Sequence, residues 1–333
     1  MINKKIWNLT HEDLDGAMCS ILLKNVFSSV VVEAVQYYDL GKRLEEISNT
    51  VGFFNQYDAI YLTDLNLEAQ HITKITTMLQ VSNYQGDLII LDHHEDSCFL
   101  HNPQNNFYVV PGICAATITK EYLKNITNDK MEYLDEMIRL TNDYDLWEMK
   151  YPQSKQLQLL YTAIVTDSPN GVKQGFNNFL QSYHKGISFN HLNNNDIGII
   201  RKYENNINKM WESLEVDVIP NTKIAMIGVP KKHSNEMCHR ILESNVGVDV
   251  VINFNPRGAA ASVRASERVS GMNLPSVIDA VFPYGGGGHK LAAGFAFPKV
   301  NYKMPFNEKW PIVQDWINKF TSALTHVYPE LKA

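Results

Sequence analysis

Four apolar residues, Leu88-Ile89-Ile90-Leu91, run straight into Asp92, His93 and His94. A run apolar at every position is the pattern of a strand buried on both faces, as in parallel sheets. The C-terminal end of such a strand is where open α/β sheets bind ligands, so an acid and two imidazoles placed there are candidates for metal binding or proton transfer.

Three more stretches repeat the arrangement. In Leu9-Thr10-His11-Glu12-Asp13-Leu14-Asp15-Gly16 a strand gives way to His11, Asp13 and Asp15 before a glycine and a helix. Period two would set those three side chains on one side of an extended segment, whereas an aspartate before a helix is equally a capping residue. In Ile60-Tyr61-Leu62-Thr63-Asp64-Leu65-Asn66 a strand ends at Asp64. The fourth stretch, Asn142-Asp143-Tyr144-Asp145-Leu146-Trp147, offers two acids after a helix, and Asp167 stands in a similar but weaker setting. Gathered at one sheet edge, carboxylates and imidazoles without a thiolate suit Mn²⁺ and are numerous enough for two ions. Two such ions about 3.5–4 Å apart activate a water and neutralise charge on phosphoryl oxygens, which implies hydrolysis of a phosphoester or phosphoanhydride. A last constellation, Phe282-Pro283-Tyr284 followed by Gly285 to Gly288, His289 and Lys290, combines glycines that let the backbone approach an anion with two basic side chains. Arg264, at the end of an expected strand, is placed to grip phosphate bidentately.

These residues need a scaffold. The first half alternates expected strands (6–9, 29–35, 59–62, 87–91) with expected helices (16–26, 41–48, 67–79, 115–123, 131–140), which implies a parallel sheet with helical crossovers. Residues 156–211 read as helical and Asn-rich. Strands return at 216–219, 224–229, 248–254 and 259–263, with a helix at 236–243. The expected class is α/β: a parallel-sheet N-terminal domain (1–190), a helical connection (191–215) and a smaller mixed α/β C-terminal substrate-binding domain (216–333).

A chain of 333 residues exceeds the usual size of one core. No apolar stretch reaches the roughly 18 residues of a membrane span, and no signal peptide is visible, so a cytoplasmic protein is expected. Cys19, Cys98, Cys114 and Cys238 are scattered, which supports neither a disulfide framework nor a zinc ribbon. Residues 1–215 carry 17 Lys/Arg against 27 Asp/Glu, and residues 216–333 carry 13 against 9. An acidic half and a mildly basic half suit a small anionic substrate, and a broad basic surface for long nucleic acid is not indicated.

The ordered set of His11 to Gly16, Asp64, Asp92-His93-His94, Asp143-Tyr144-Asp145-Leu146-Trp147 and Gly285 to His289 resembles the DHH phosphoesterase family with its associated C-terminal domain. Within it, the chain is most similar to the small oligoribonucleases (nanoRNases). The resemblance implies two Mn²⁺ ions, with Mg²⁺ or Co²⁺ as substitutes. One would be held by His11, Asp13 and Asp64, the other by Asp15, Asp64, His93 and an acid from the Asp143/Asp145 pair. It assigns catalysis to His94, Asp92 and Asp64, and substrate phosphate to Arg264 and His289 above Gly286, Gly287 and Gly288. The implied activity is hydrolysis of short oligonucleotides to mononucleotides by a protein with no membrane partner, compatible with a homodimer. Related activities on cyclic or linear dinucleotides or phosphoadenosine phosphate stay open, as does a catalytically silent nucleotide-binding protein.

Overall fold

The computed structural model describes residues 1–244, 247–254, 258–283, 286–301 and 303–333, with Tyr38 described in its backbone alone. Gly285 lies outside the described residues. The chain divides into two compact units, residues 1–204 and 205–333.

The first unit runs β1 (Ile2–His11), α1 (Leu14–Val26), β2 (Phe27–Val35), α2 (Tyr37–Ser48), β3 (Ala59–Thr63), α3 (Ala69–Val81), β4 (Asp87–Asp92), β5 (Phe107–Val109), α4 (Ala115–Lys124), α5 (Asp135–Asp145), α6 (Pro152–Val165), α7 (Val172–Ser182) and α8 (Asn194–Glu212), the last crossing the unit boundary. Its five strands pair in the order β2-β1-β3-β4-β5, all parallel. Every strand C-terminus therefore faces the same edge. Alternate residues of the central strands feed two separate cores: Ile6, Tyr61, Ile89 and Leu91 pack with α1 and α4 to α7, whereas Trp7, Leu9, Ile60, Leu62 and Ile90 pack with α2 and α3. Coverage of both faces is why these strands are apolar at consecutive positions.

Two local devices hold the strand ends to the helices behind them. A buried chain of side chains runs from Ser20 Oγ to Asn8 Oδ1 (2.8 Å), from Asn8 Nδ2 to Thr63 Oγ1 (3.0 Å) and from Thr63 Oγ1 to Thr10 Oγ1 (2.8 Å). Fully satisfied buried networks of this kind fix one register. At Gly16, a Cβ would lie 2.2 Å from the His11 carbonyl oxygen, so only glycine lets the first turn of α1 close onto the end of β1.

The second unit contains β6 (Asp217–Val218), β7 (Ile224–Ile227), α9 (Ser234–Ser244), β8 (Val250–Phe254), β9 (Ala260–Ala265), α10 (Leu274–Val281), β10 (Gly286–His289), β11 (Ala292–Ala296) and α11 (Phe306–Val327). The sheet order is β10-β11-β9-β8-β7-β6, with β7 and β8 parallel and the other pairs antiparallel. One face packs on α10 and α11 through Val263, Phe282, Phe295, Phe320 and Leu324. The α/β class with a parallel first sheet and a mixed second one is as expected. The glycine run, expected to bring backbone close to an anion, forms a strand over Gly286–His289. Gly286 and Gly288 are required there because a Cβ on either would meet a backbone oxygen of β11, at 2.4 Å (Gly294) and 2.2 Å (Ala292) respectively. The helix expected at 131–140 continues as α5 to Asp145, because the apolar residues Met137, Ile138 and Leu140 bury one face and the turn carrying Asp143 stays wound.

Candidate metal centre

Four strand-to-helix or helix-end positions converge at the C-terminal edge of the parallel sheet. His11 closes β1. The extended segment suggested by period two ends at Asp13, whose backbone is still extended but which is the N-cap of α1, accepting from Gly16 N at 3.0 Å, so that Asp15 lies in the first helical turn. This break in the backbone sends the two acids to different neighbours. His11, Asp13 and Asp64 form one group of donor atoms within 4.8 Å of one another, and Asp15, His93 and Asp145 form another. Asp64 stands between them: its Oδ2 is 3.9 Å from His11 Nδ1 and its Oδ1 is 3.4 Å from His93 Nε2. Its backbone is left-handed, with φ of 57°, a conformation that costs non-glycine residues energy and concentrates at functional sites. His93 Nε2 also lies 3.5 Å from Asp145 Oδ2 and 3.9 Å from Asp15 Oδ2. The backbone amides of Ala115 and Ala116, at the start of α4, donate to the two oxygens of Asp15 at 2.7 and 2.8 Å, which fixes that carboxylate on a helix N-terminus.

Crowded carboxylates disfavour one another's charge. Burial, reinforced by the charge of Asp145, pushes Asp15 up to about 7. Burial also raises Asp145 to about 6, although His93 pulls it down. Asp64 is driven well above the carboxylate range by burial and then by Asp13, Asp15 and Asp145. Two acids go the other way. Burial alone would raise Asp92, but the charge and hydrogen bond of His94 hold it down at about 2. At Asp13, burial is likewise outweighed by the charge and hydrogen bond of His11, and the group stays below its usual range. For His93, burial disfavours the cation, but Asp145 and Asp15 outweigh it and the group moves up.

The chemistry of this donor set fits divalent cations. Asp64 Oδ2, Asp92 Oδ2 and Asp145 Oδ2 are buried without a hydrogen-bond partner among the described residues, an arrangement native proteins avoid unless something else satisfies it. The donors are carboxylate oxygens and imidazole nitrogens. Burial and then Asp15 push the thiols of Cys19 and Cys114 up, so neither offers a thiolate.

No family model matches the chain. A 3',5'-cyclic-nucleotide phosphodiesterase of Helicobacter pylori is 24% identical over 153 residues, 43% of this chain and 44% of that protein, so the match spans less than half of that relative. Oligoribonuclease NrnB of Bacillus subtilis is 22% identical over 306 residues, 89% of this chain and 73% of the relative. Among solved structures, the DHH domain of a member of the s1p family of ribosomal proteins gives a TM-score of 0.63 at 14% identity, covering 99% of this chain and 88% of that one. The chain shares the fold of that DHH-domain protein. A structure of RecJ from Thermus thermophilus in complex with Mn²⁺ gives a TM-score of 0.50 at 12% identity, covering 96% of this chain and 52% of that one.

The DHH triplet divides its contacts. Asp92 Oδ1 accepts from the backbone of His93 at 2.9 Å and stands 2.7 Å from His94 Nδ1. His94 Nε2 in turn lies 3.0 Å from the hydroxyl of Tyr37, the first residue of α2. Sequence reasoning passed over Tyr37 because it is not an acid or a histidine. The signal that could have found it is position: it follows the end of β2, at the edge where the other strands deliver their acids and histidines.

Of the two acids in the fourth stretch, the structure brings Asp145 to His93 and turns Asp143 elsewhere. Asp143 accepts from Lys150 N (2.9 Å), Tyr151 N (3.2 Å) and Ser154 Oγ (2.6 Å), tying α5 to the start of α6, and belongs to none of the metal-like groups. Asp167 is exposed beyond the end of α6. Asp143→Ala is therefore expected to cost about 3 kcal/mol of stability, since it strands the buried Ser154 hydroxyl and releases two part-buried amides, and to leave Mn²⁺ affinity nearly unchanged in the folded fraction. Asp145→Ala is expected to do the reverse. Thermal unfolding and calorimetric Mn²⁺ titration of both variants check this, and a larger loss of Mn²⁺ affinity in Asp143→Ala would assign the ligand to Asp143 instead.

The expected phosphate residues lie in the second unit. Arg264 on β9 pairs in register with Ala292 on β11, which pairs with His289 on β10, so the guanidinium and the imidazole sit level on one face of three adjacent strands. Arg264 donates to the Val263 carbonyl at 2.8 Å and to the Asn235 side chain. His289, Gly286 and Gly287 are exposed and Gly288 is half-buried.

Proposed function

We propose that this protein is a divalent-metal phosphodiesterase that hydrolyses very short oligonucleotides, RNA and short DNA, to mononucleotides, with Mn²⁺ as its ion. The observation that carries the reading is Asp64, whose two oxygens face two separate acid–histidine groups across a single carboxylate. His11, Asp13 and Asp64 would hold one ion, and Asp64, Asp15, His93 and Asp145 a second. Bound there, the ions would supply Lewis acidity at the phosphoryl oxygens and a lowered pKa for the attacking water. The side chains do the rest. Asp92 fixes the ring of His94, which can then give a proton to the leaving oxygen. Arg264 and His289 would take the non-bridging oxygens of the substrate phosphate. RecJ, whose structure carries Mn²⁺, and NrnB, named an oligoribonuclease, support the ion and the substrate class. All four cysteines are free thiols, in keeping with a reducing cytoplasm.

A second reading, a dinucleotide or cyclic-nucleotide phosphodiesterase, is favoured by the name of the Helicobacter relative. One panel separates the two: RNA and DNA of two to ten nucleotides, cyclic dinucleotides, 3',5'-cyclic mononucleotides and phosphoadenosine phosphate, with Mn²⁺ or chelator, for wild type and His93→Ala. Mn²⁺-dependent turnover that peaks at two to five nucleotides and disappears in His93→Ala is expected. Preference for a cyclic substrate would select the second reading, and no turnover despite bound Mn²⁺ would overturn both.

A further inference from the structure

We infer that Tyr37 is a positioning residue of this centre, one side chain that sets the orientation of both His11 and His94; the inference rests on the phosphodiesterase reading for its effect on rate. Its ring stacks on His11 with centroids 3.9 Å apart and planes at 18°, while its hydroxyl lies 3.0 Å from His94 Nε2 with the two rings nearly perpendicular, at 82°. A stacked ring and a hydroxyl constrain different degrees of freedom. The stack restrains rotation of His11 about its Cβ–Cγ bond, and the Nδ1 contact to Asp13 at 2.8 Å restrains it from the side. The hydroxyl acts on His94 opposite to Asp92.

The hydrogen bonding has one direction when His94 is neutral. An ionised Asp92 can only accept, so His94 Nδ1 carries the hydrogen at 2.7 Å. Nε2 is then a lone pair, and the Tyr37 hydroxyl donates to it. Neutral His94 is thereby held at both nitrogens, which fixes its tautomer and the plane of its ring.

Tyr37 is itself held. Gln36 Nε2 donates to Glu12 Oε1 at 3.0 Å and Glu12 N donates to Val35 O at 3.1 Å, which clamps the start of α2 to Glu12, between His11 at the end of β1 and Asp13 at the start of α1. The backbone from which Tyr37 reaches His11 is thus tied to the end of β1 on both sides of Glu12.

The hydroxyl and the ring can be separated by substitution. Tyr37→Phe keeps the stack and removes the hydroxyl, and Tyr37→Leu removes both. For Tyr37→Phe, kcat on a dinucleotide is expected to fall about 10- to 100-fold, the range for partners that orient active-site histidines, with KM and Mn²⁺ affinity within about twofold of wild type. Tyr37→Leu is expected to weaken Mn²⁺ binding as well. Independently of turnover, ¹⁵N NMR of the metal-free protein should show His94 as the Nδ1–H tautomer, with an Nε2 resonance that moves downfield in Tyr37→Phe as its hydrogen bond is lost. If wild type turns over and Tyr37→Phe matches it with unmoved His94 resonances, the assignment is overturned. Equal loss of Mn²⁺ affinity in Tyr37→Phe and Tyr37→Leu also overturns it. A wild type without turnover strikes the phosphodiesterase reading instead, and the nitrogen resonances still decide whether Tyr37 holds His94.

Discussion

Replacing Asp64 with asparagine is expected to remove Mn²⁺-dependent turnover and, in the same molecule, to make the metal-free protein more stable than wild type at pH 8. Asparagine is the apt substitution because it tolerates the left-handed backbone that Asp64 adopts, at φ of 57°, and the backbone bond from residue 64 to the Leu91 carbonyl at 3.1 Å is untouched. The change therefore deletes a charge without forcing the β3 end to rearrange. In the absence of metal that charge is unfavourable: burial, then Asp13, Asp15 and Asp145, drive the group well above its ordinary value, so the folded chain must either hold repelled charge or carry an extra proton. Asparagine does neither. The same carboxylate lies 3.9 Å from His11 of one donor group and 3.4 Å from His93 of the other, and if it holds both ions, as proposed, losing it should cost at least about 100-fold in rate, the upper end of what residues that merely orient ligands contribute. Turnover assays with Mn²⁺ and thermal unfolding with chelator test the two halves separately. Retained turnover would remove Asp64 from its bridging role, and a less stable metal-free variant would show that the carboxylate is not repelled by its neighbours.

The opposing signs of that prediction explain which parts of this protein its sequence reveals. Strands β1, β3 and β4 could be read from runs that are apolar at consecutive positions, because both faces of the first sheet are covered. The candidate site residues at their ends could be read as well, because acids and histidines that break an apolar run are locally unfavourable and need a reason. The parallel sheet then gathers them without further information. What depends on helix ends could not be read this way. Asp143 and Asp145 are two residues apart on α5, and which one meets His93 follows from α5 persisting to Asp145 while Asp143 anchors the start of α6. Composition carries no trace of that. Tyr37 escaped for the converse reason, since an aromatic after a strand breaks no local rule. In the second unit, α11 went unexpected because Pro311 stands inside it and Lys309 is buried in it. Proline removes a helix donor, and a buried lysine needs a partner, here the Gly258 carbonyl at 2.8 Å. The strand β10 was hidden by its glycines, which carry no apolar pattern, and only the closeness of β11 shows that no larger residue fits at Gly286 or Gly288.

Mn²⁺ is expected to raise the melting temperature much more at pH 8 than at pH 5.5. Asp145 and Asp15 are raised from the ordinary 3.8 to about 6 and about 7. A group whose folded-state value is raised favours the folded chain fully below its unfolded value, and that contribution is lost as the pH climbs through the folded one. Between about pH 4 and pH 8 these two acids therefore make the metal-free protein progressively less stable. Binding a cation requires both as carboxylates, so at pH 5.5 the ion must displace protons that at pH 8 have already left. At one hundred times its dissociation constant, an ion bound only to the folded state adds about 2.7 kcal/mol per site, and at a fixed Mn²⁺ concentration that margin shrinks as the pH falls and the apparent affinity weakens. Differential scanning calorimetry at the two pH values, with Mn²⁺ and with chelator, measures the four melting temperatures needed. In Asp145→Asn the pH dependence of the Mn²⁺ effect should flatten, because one of the two competing protons is gone. Equal Mn²⁺ shifts at pH 5.5 and pH 8 in wild type would mean that the ion binds without Asp15 and Asp145, and the pairing of these acids with His93 would then need another explanation.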